Sequence, residues 1–217
     1  MTARTCVLVG IEGTHASGKS TLVHALTAHY RHQGVLVDCL AEPARTSPFI
    51  EETVIHGKGN FDLTCEVDLF AAHLSTTLRA ARHQRLLICD KTVINVLAYA
   101  RMILAPAPGS PDAAVLDAMA TFCRTWAPTT YDAVFYLSDR FDHPNDPMRA
   151  KVAHLQAETA EALRATCADV NLPLTDVPTG IDTAARVAWI ARRGSTHYFL
   201  ARPANLGQRD HPPCAPG

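Results

Sequence analysis

The sequence has no excess of charge of either sign. Its 217 residues include 20 Lys and Arg against 21 Asp and Glu, which gives a formal net charge of −1 at pH 7. Nucleic-acid-binding domains usually carry a basic excess, so the balance argues against a nucleic-acid partner. Any anion site must therefore be local.

Long apolar runs are missing as well. Apolar stretches such as Val93–Leu97 and Ala133–Leu137 are far shorter than the roughly 18–20 residues that a membrane span needs. We therefore expect no membrane partner. The first ten residues are too lightly charged to resemble a signal peptide, which predicts a cytoplasmic protein.

Paired cysteines and metal-binding motifs are also absent from the sequence. The seven cysteines form no Cys-x-x-Cys pair, and several lie in apolar runs, which favours reduced, buried thiols. The eleven histidines form no His-Glu-x-x-His motif. No structural metal is expected.

The composition that is present suits one folded domain. Hydrophobic residues make up 47% of the chain and charged residues 19%, enough for a core and too little charge for a disordered chain. We predict a single domain over residues 1–200 and a flexible, Pro-rich tail over residues 201–217.

Strand-like and helix-like segments alternate along the sequence. Short apolar runs predict strands at Cys6–Ile11, Val35–Leu40, Leu86–Cys89, Ala133–Leu137 and Leu172–Val177. Helical periodicity predicts helices at Ser20–His32, Leu63–Arg82, Val93–Leu104, Ala113–Trp126, Met148–Cys167 and Thr183–Arg192. The residues 46–60 are expected to form a loop facing the substrate. This alternation predicts a three-layer α/β fold with a five-stranded parallel sheet and helices on both faces.

The strongest motif lies between the first predicted strand and the first predicted helix. It fits the phosphate-binding loop G-x-x-x-x-G-K-[ST] and reads Gly13, Thr14, His15, Ala16, Ser17, Gly18, Lys19 and Ser20. Glycines let such a loop curl so that backbone N–H groups face inward, at the positive end of the next helix. The motif predicts a P-loop fold that binds a nucleotide polyphosphate such as ATP.

Individual side chains of this loop have expected roles. Lys19 would reach the β- and γ-phosphates, Ser20 would ligate Mg²⁺, and Thr21 would contact the α-phosphate. His15 could touch a phosphate or point to solvent. ATP and Mg²⁺ are thus the expected cofactors.

With these residues in order, the chain resembles the P-loop kinases of the nucleoside and nucleoside-monophosphate kinase group. The resemblance rests on the loop, on Ala41–Arg45, on Asp90–Lys91 and on an arginine-bearing segment after the fourth strand. The segments Cys89–Thr92 and Val96–Arg101 look more narrowly like a bacterial subgroup of small P-loop ATPases that contains nicotinamide riboside kinase-like proteins.

The resemblance assigns Asp90 a magnesium role at the end of the third strand, although a strand-ending Asp can equally cap the next helix, as Thr92 can. The group usually places Arg after this acid. Here Lys91 follows, which keeps the charge for substrate binding but cannot form the bidentate fork of an arginine.

The resemblance also makes Glu42 the base that accepts the proton of the attacking hydroxyl, and a substrate-binding residue. The alternative is a surface ion pair between Glu42 and Arg45. Arg45 could instead hold the phosphate of an acceptor nucleotide.

Other candidates lie further along the chain. Arg140 and Arg149 flank an expected lid at about residues 138–150 and would stabilise charge during transfer. Tyr99 and Phe70 could stack on a base or pack in the core. Glu66 and Asp68 could face a substrate hydroxyl or lie on a solvated helix face.

Together these features predict an ATP- and Mg²⁺-dependent kinase acting on a hydroxyl of a nucleoside or nucleoside-like small molecule. A nucleoside-monophosphate kinase is one alternative, and a regulatory nucleotide-binding ATPase without a small-molecule acceptor is another. A homodimer is left open.

Overall fold

A five-stranded parallel sheet organises the described part of the molecule. The structure, a computed structural model, describes residues 6–45, 47, 49, 62–141 and 156–197. The strands within these residues are β1 Val7–Gly13, β2 Val37–Leu40, β3 Leu86–Asp90, β4 Ala133–Leu137 and β5 Thr175–Asp176. They are parallel and lie in the order β2-β3-β1-β4-β5. β1 is therefore central, between β3 and β4.

The inner strands are apolar on both faces because helices cover both sides of the sheet. Every residue of β1 and β3 is buried. The helices within the described residues are α1 Lys19–His32, α2 Leu63–Ala81, α3 Val93–Leu104, α4 Pro111–Thr130, α5 Gln156–Asp169 and α6 Thr183–His197. A short 3₁₀ turn at Pro43–Arg45 follows β2.

Two apolar clusters fill the space between the sheet and its helices. On one face, Leu22 and Leu26 of α1 and Ile190 of α6 pack with alternate residues of the sheet. On the other face, Leu97 of α3 and Leu163 of α5 pack in the second cluster with helix α4. The predicted three-layer α/β P-loop fold with a five-stranded parallel sheet is thus confirmed.

Some element bounds differ from the prediction for physical reasons. α4 begins at Pro111, because Ser110 Oγ accepts a bond from the Ala113 amide at 3.2 Å and caps a helix with proline in its first turn. It extends to Thr130, and the amide of the next residue, Tyr131, still donates to the Ala127 carbonyl at 3.0 Å. β2 begins at Val37, since the Val35 amide donates to the Tyr30 carbonyl at 3.0 Å and so closes α1. α6 continues to His197.

Within the described residues, no helix is long and apolar enough to cross a membrane. Five of the six cysteines in these ranges are buried, and Cys39 is partly buried. The proposed tail at 201–217 and most of the proposed lid, residues 142–150, lie outside the described residues.

Candidate active site

The loop between β1 and α1 has the backbone form that phosphate binding requires. β1 ends at Gly13 with φ +145°, and α1 begins at Lys19 directly after Gly18 with φ +83°. A Cβ atom on Gly13 would stand 2.6 Å from the Leu137 carbonyl oxygen, so glycine is needed there. The loop thus curls at the N-terminus of α1, where the helix dipole and backbone N–H groups favour an anion.

The Lys19 side chain is folded back over this loop. Its Nζ atom donates to the Thr14 carbonyl oxygen at 2.6 Å and contacts Ser17 Oγ at 3.4 Å. Burial, aided by the charge of Lys91, lowers the pKa of Lys19 to about 8. A polyphosphate in the loop would give the ammonium anionic partners and so favour its charged form.

Ser20 and Asp90 meet beside the loop and form an oxygen pair that fits Mg²⁺. Ser20 Oγ donates to Asp90 Oδ2 at 2.6 Å, while Asp90 Oδ1 is buried without a hydrogen-bond partner among the described residues. Mg²⁺ in kinase sites takes one or two protein oxygens and completes its shell with phosphate oxygens and water. The capping role falls to Thr92, whose Oγ1 accepts from the Ile94 amide at 3.2 Å.

A carboxylate that the sequence reasoning missed supports this end of the sheet. Glu12 is 0% exposed in β1, and its oxygens accept from the Thr92 amide at 2.6 Å, the Thr92 hydroxyl at 2.7 Å and Asn95 Nδ2 at 2.9 Å. Burial raises the pKa of Glu12, although these hydrogen bonds act to lower it. An acid inside an otherwise apolar strand, just before Gly13, is the signal that could have revealed it.

Glu42 and Lys91 form a buried ion pair at the ends of β2 and β3. Lys91 Nζ stands 2.5 Å from Glu42 Oε1, with side-chain exposures of 9% and 18%. Burial alone would raise the pKa of Glu42, but the charge and hydrogen bond of Lys91 lower it to about 2. Glu42 therefore pairs with Lys91. The side chain of Arg45, its partner in the alternative interpretation, is not among the described features.

Tyr99 and His15 connect this pair to the phosphate-binding loop. Tyr99 Oη lies 2.6 Å from His15 Nε2, and Lys91 Nζ lies 5.4 Å from the centre of the Tyr99 ring. Gln156 Nε2 donates to the His15 carbonyl oxygen at 3.4 Å. One chain of contacts thus runs from the loop through Tyr99 to Lys91 and Glu42.

Helix α2 presents buried polar side chains to the same end of the sheet. Glu66 is 2% exposed, and its Oε2 atom has no hydrogen-bond partner among the described residues. His73 Nε2 lies 3.3 Å from the Lys91 carbonyl oxygen, and Thr77 Oγ1 lies 3.4 Å from His73 Nδ1. From the sequence, Glu66 could face either a substrate or the solvent. In the structure it is buried.

The remaining predicted candidates are Phe70, Arg140 and Arg149. The Phe70 ring contacts Phe122 of α4 edge-on and packs against the core cluster that contains α3 and α4. Arg140 is exposed just beyond β4, and Arg149 lies outside the described residues. The base-stacking role of Phe70 therefore has no support from its contacts.

A buried arginine from α6, also missed by the sequence reasoning, stands behind the phosphate-binding loop. Arg186 Nη2 donates to Asp139 Oδ2 at 2.7 Å, and Asp139 Oδ1 accepts from the Gly180 amide at 3.0 Å. The guanidinium lies 5.5 Å from the Phe141 ring centre, and the Phe141 amide donates to the Ala16 carbonyl at 2.8 Å. These contacts tie β4, the β5–α6 connection and the loop together.

Solved structures with the same fold include a deoxyadenosine kinase and a thymidylate kinase. Deoxyadenosine kinase from M. mycoides with bound dATP aligns at TM-score 0.54 and 16% identity, covering 87% of this chain and 100% of the kinase. Thymidylate kinase from Candida albicans aligns at TM-score 0.61 and 15% identity, covering 88% and 92%. NadR protein in complex with NR aligns at TM-score 0.63 and 17% identity, and the match covers 94% of this chain but 54% of NadR.

Sequence comparison identifies the family. No curated protein matches the chain significantly. A family model described as AAA domain matches residues 8–185, from the first strand into the last helix. This match spans most of the chain and includes the phosphate-binding loop, β3 with Asp90, and β4. The chain therefore belongs to the AAA domain family and has the P-loop fold of nucleoside and nucleotide kinases.

Proposed function

We propose that the protein is an ATP- and Mg²⁺-dependent kinase that transfers the γ-phosphate to a hydroxyl of a nucleoside or nucleoside-like molecule. One observation carries the proposal: the phosphate-binding loop, the Ser20–Asp90 oxygen pair and the Glu42–Lys91 ion pair meet at the carboxyl end of one parallel sheet. Ligands of open α/β sheets bind at this edge.

The donor side consists of the loop 13–20 with Asp90. Its backbone and Lys19 would hold the β- and γ-phosphates, with Thr21 near the α-phosphate. Ser20 and Asp90 would hold Mg²⁺, which neutralises charge on the phosphates when it is bound. Phosphoryl transfer depends mainly on such positioning and charge stabilisation, so this side requires no covalent intermediate.

The acceptor side consists of Glu42, Lys91, Tyr99 and the buried face of α2. Glu42 is ionised at neutral pH, because its pKa is about 2, and can accept a hydrogen bond from the acceptor hydroxyl. A carboxylate with so low a pKa is a weak base. Glu42 therefore acts first by orienting the hydroxyl toward the γ-phosphate and receives the proton late, when the oxygen is already bonded to phosphorus.

A nucleoside-monophosphate kinase is the second candidate, and the buried cation Lys91 is the observation that favours it. A phosphate of the acceptor could pair with that ammonium. However, Glu42 already engages Lys91 Nζ at 2.5 Å, so the two charges offset each other. This arrangement suits an acceptor without a phosphate better.

The test is acceptor-dependent phosphate transfer. Purified protein is incubated with ATP and Mg²⁺ and, one at a time, nucleosides, their monophosphates and nicotinamide riboside, and ADP release and product mass are measured. A nucleoside product heavier by one phosphoryl group supports the proposal, and a diphosphate product supports the second candidate. ATP binding without acceptor-dependent ADP contradicts both and favours a regulatory nucleotide-binding ATPase.

A further inference from the structure

Glu66 is a buried carboxyl group that the proposed transfer reaction does not use. It is 2% exposed, and Oε2 has no hydrogen-bond partner in the part of the chain that the structure describes. A buried polar atom without a partner is costly, and native proteins keep few of them. Such an atom calls for a ligand or a structural reason.

The packing of α2 places Glu66 beside the acceptor side. Its neighbours on the helix, Cys65 and Leu69, pack against Ala44 in the turn that follows Glu42, and against Val96 of α3. His73 lies seven residues further along, two helical turns on the same face, and contacts the Lys91 carbonyl oxygen at 3.3 Å. The face of α2 that carries Glu66 is thus turned toward the ends of β2 and β3.

A purely structural role does not account for this placement. Glu66 lies in the first turn of α2, where a negative charge interacts favourably with the helix dipole. That interaction needs no burial, because an exposed glutamate in the first turn also provides it. Asp62 already caps the helix by accepting from the Cys65 amide at 2.8 Å. The burial and the unpartnered oxygen remain to be explained.

The local charges indicate the kind of group that Glu66 would meet. Burial raises the pKa of Glu66 to about 7, against the charge of Lys91, whose ammonium is held by Glu42. A hydrogen-bond donor at Oε2 would favour the ionised carboxylate, whereas the negative charge of an acceptor phosphate would disfavour it.

We propose, on the basis of the kinase function above, that Glu66 is an acceptor-specificity residue whose Oε2 atom accepts a hydrogen bond from an N–H or O–H group of the acceptor, away from the reacting hydroxyl. The substrate class follows: a nucleoside-like molecule that carries such a donor and lacks a phosphate. The donor belongs either to the base or to a second sugar hydroxyl, and matched acceptor analogues distinguish the two.

The experiment uses Glu66→Met, which removes the polar group, Glu66→Gln, which keeps a carbonyl oxygen, and Thr166→Val as the control. Thr166 is equally buried but lies in α5, outside the acceptor side and the phosphate-binding loop. Glu66→Met should lower kcat/KM for the acceptor by about 10- to 100-fold, the loss expected for one buried hydrogen bond to a charged group. Glu66→Gln should lose less, and both variants and the control should keep the KM for ATP.

Analogues that lack one donor at a time locate the hydrogen bond. Wild type should lose about 10- to 100-fold on the analogue without the donor that Glu66 binds, whereas Glu66→Met should lose nothing further on that analogue. If this pattern appears with the analogue that lacks an amino group of the base, the donor belongs to the base. If it appears with the analogue that lacks a sugar hydroxyl, the donor belongs to the sugar. If the kcat/KM of Glu66→Met is lower than that of wild type by the same factor on every acceptor analogue, the role of Glu66 is structural and the assignment is overturned.

Stability gives a second, independent readout. Replacing an unpartnered buried carboxyl with Met should raise the melting temperature by about 2–4 °C, whereas loss of a structural contact would lower it. If Glu66→Met does not fold, the analogue comparison is carried by Glu66→Leu, which also removes the acceptor oxygen. Wild type without acceptor-dependent ADP overturns the kinase function and this assignment with it. Acceptor-dependent ADP that Glu66→Met leaves unchanged overturns this assignment alone.

Discussion

The donor side and the acceptor side share one sheet edge but are built in different ways. The donor side comes from one continuous segment, residues 13–20, whose glycine conformations and helix start set its shape, with Asp90 as its one distant member. The acceptor side joins side chains from β2, β3, α2 and α3, such as Glu42, Lys91, Glu66 and Tyr99. Local backbone geometry thus prepares the donor side, and long-range packing prepares the acceptor side.

The difference predicts how each side responds to mutation. Substitutions on the donor side should reduce transfer to every acceptor, because all acceptors receive the same phosphate. Substitutions on the acceptor side should change activity by amounts that depend on the acceptor and should also affect stability, since the residues there are buried ion pairs and hydrogen bonds.

Lys19→Ala should have the largest effect on transfer. Loss of the ammonium that contacts the phosphates should lower kcat by about 1,000-fold, at the upper end of what one charge-stabilising donor contributes. The fold should persist, because among the described residues the hydrogen bonds of Nζ stay within the loop, to Thr14 and Ser17. ADP release and thermal unfolding are measured with the exposed Arg79→Ala on α2 as the control.

Full activity of Lys19→Ala would mean that the loop does not hold the transferred phosphate. Equal loss on all acceptors would support the separation of the two sides, and a loss confined to one acceptor would contradict it.

Glu42→Gln should have the next largest effect and should change both the activity and the stability of the protein. We expect kcat to fall by about 100-fold, with a smaller change in the KM for ATP, because the amide orients the hydroxyl poorly and cannot take its proton. Steady-state kinetics on the best acceptor tests this, with the exposed Glu161→Gln on α5 as the control. An effect on KM alone would instead indicate that Glu42 stabilises the bound substrate and the transition state equally.

The same variant tests the ion pair through pH. Since the pKa of Glu42 is lowered from 4.5 to about 2, the stability it contributes is present above about pH 4.5 and is lost as the pH falls through about 2. The free energy of unfolding of wild type should therefore drop more steeply between pH 4.5 and pH 2 than that of Glu42→Gln. Urea unfolding at several pH values measures the free energy of unfolding of both proteins. If the two proteins show the same dependence on pH, a charged pair in the folded state is excluded.

The sequence predicted the donor side far more completely than the acceptor side. The motif at residues 13–20 carries its geometry in its own glycines, and the strand and helix around it follow from hydrophobic periodicity. Lys91 and Glu42 were each expected to contact substrate, yet their mutual ion pair was not foreseen, because 49 residues separate them. Arg186 acts through folded-state neighbours that no local pattern reveals, whereas the local signal for Glu12 is only a lone acid in an apolar strand.

Asp90→Asn should have a smaller effect that magnesium partly reverses. The amide keeps an oxygen near Ser20 but loses the negative charge that attracts the cation. The Mg²⁺ concentration for half-maximal activity should rise by about 10-fold, with a modest loss at saturation. Titrating Mg²⁺ at fixed ATP measures this shift, with the exposed Asp112→Asn of α4 as the control. An unchanged titration would remove Asp90 from the metal site.

Tyr99→Phe should have the smallest effect, and it tests whether the two sides are independent. The variant removes the hydroxyl that meets His15 Nε2 at 2.6 Å but keeps the ring beside Lys91. One hydrogen bond contributes about 0.5–1.5 kcal/mol, so kcat/KM for the acceptor should fall by less than about 10-fold. If the contact links the sides, Tyr99→Phe, His15→Ala and the double variant should lose similar factors, because each breaks the same bond. Multiplicative losses in the double variant would mean that Tyr99 serves the acceptor side alone and His15 the donor side alone.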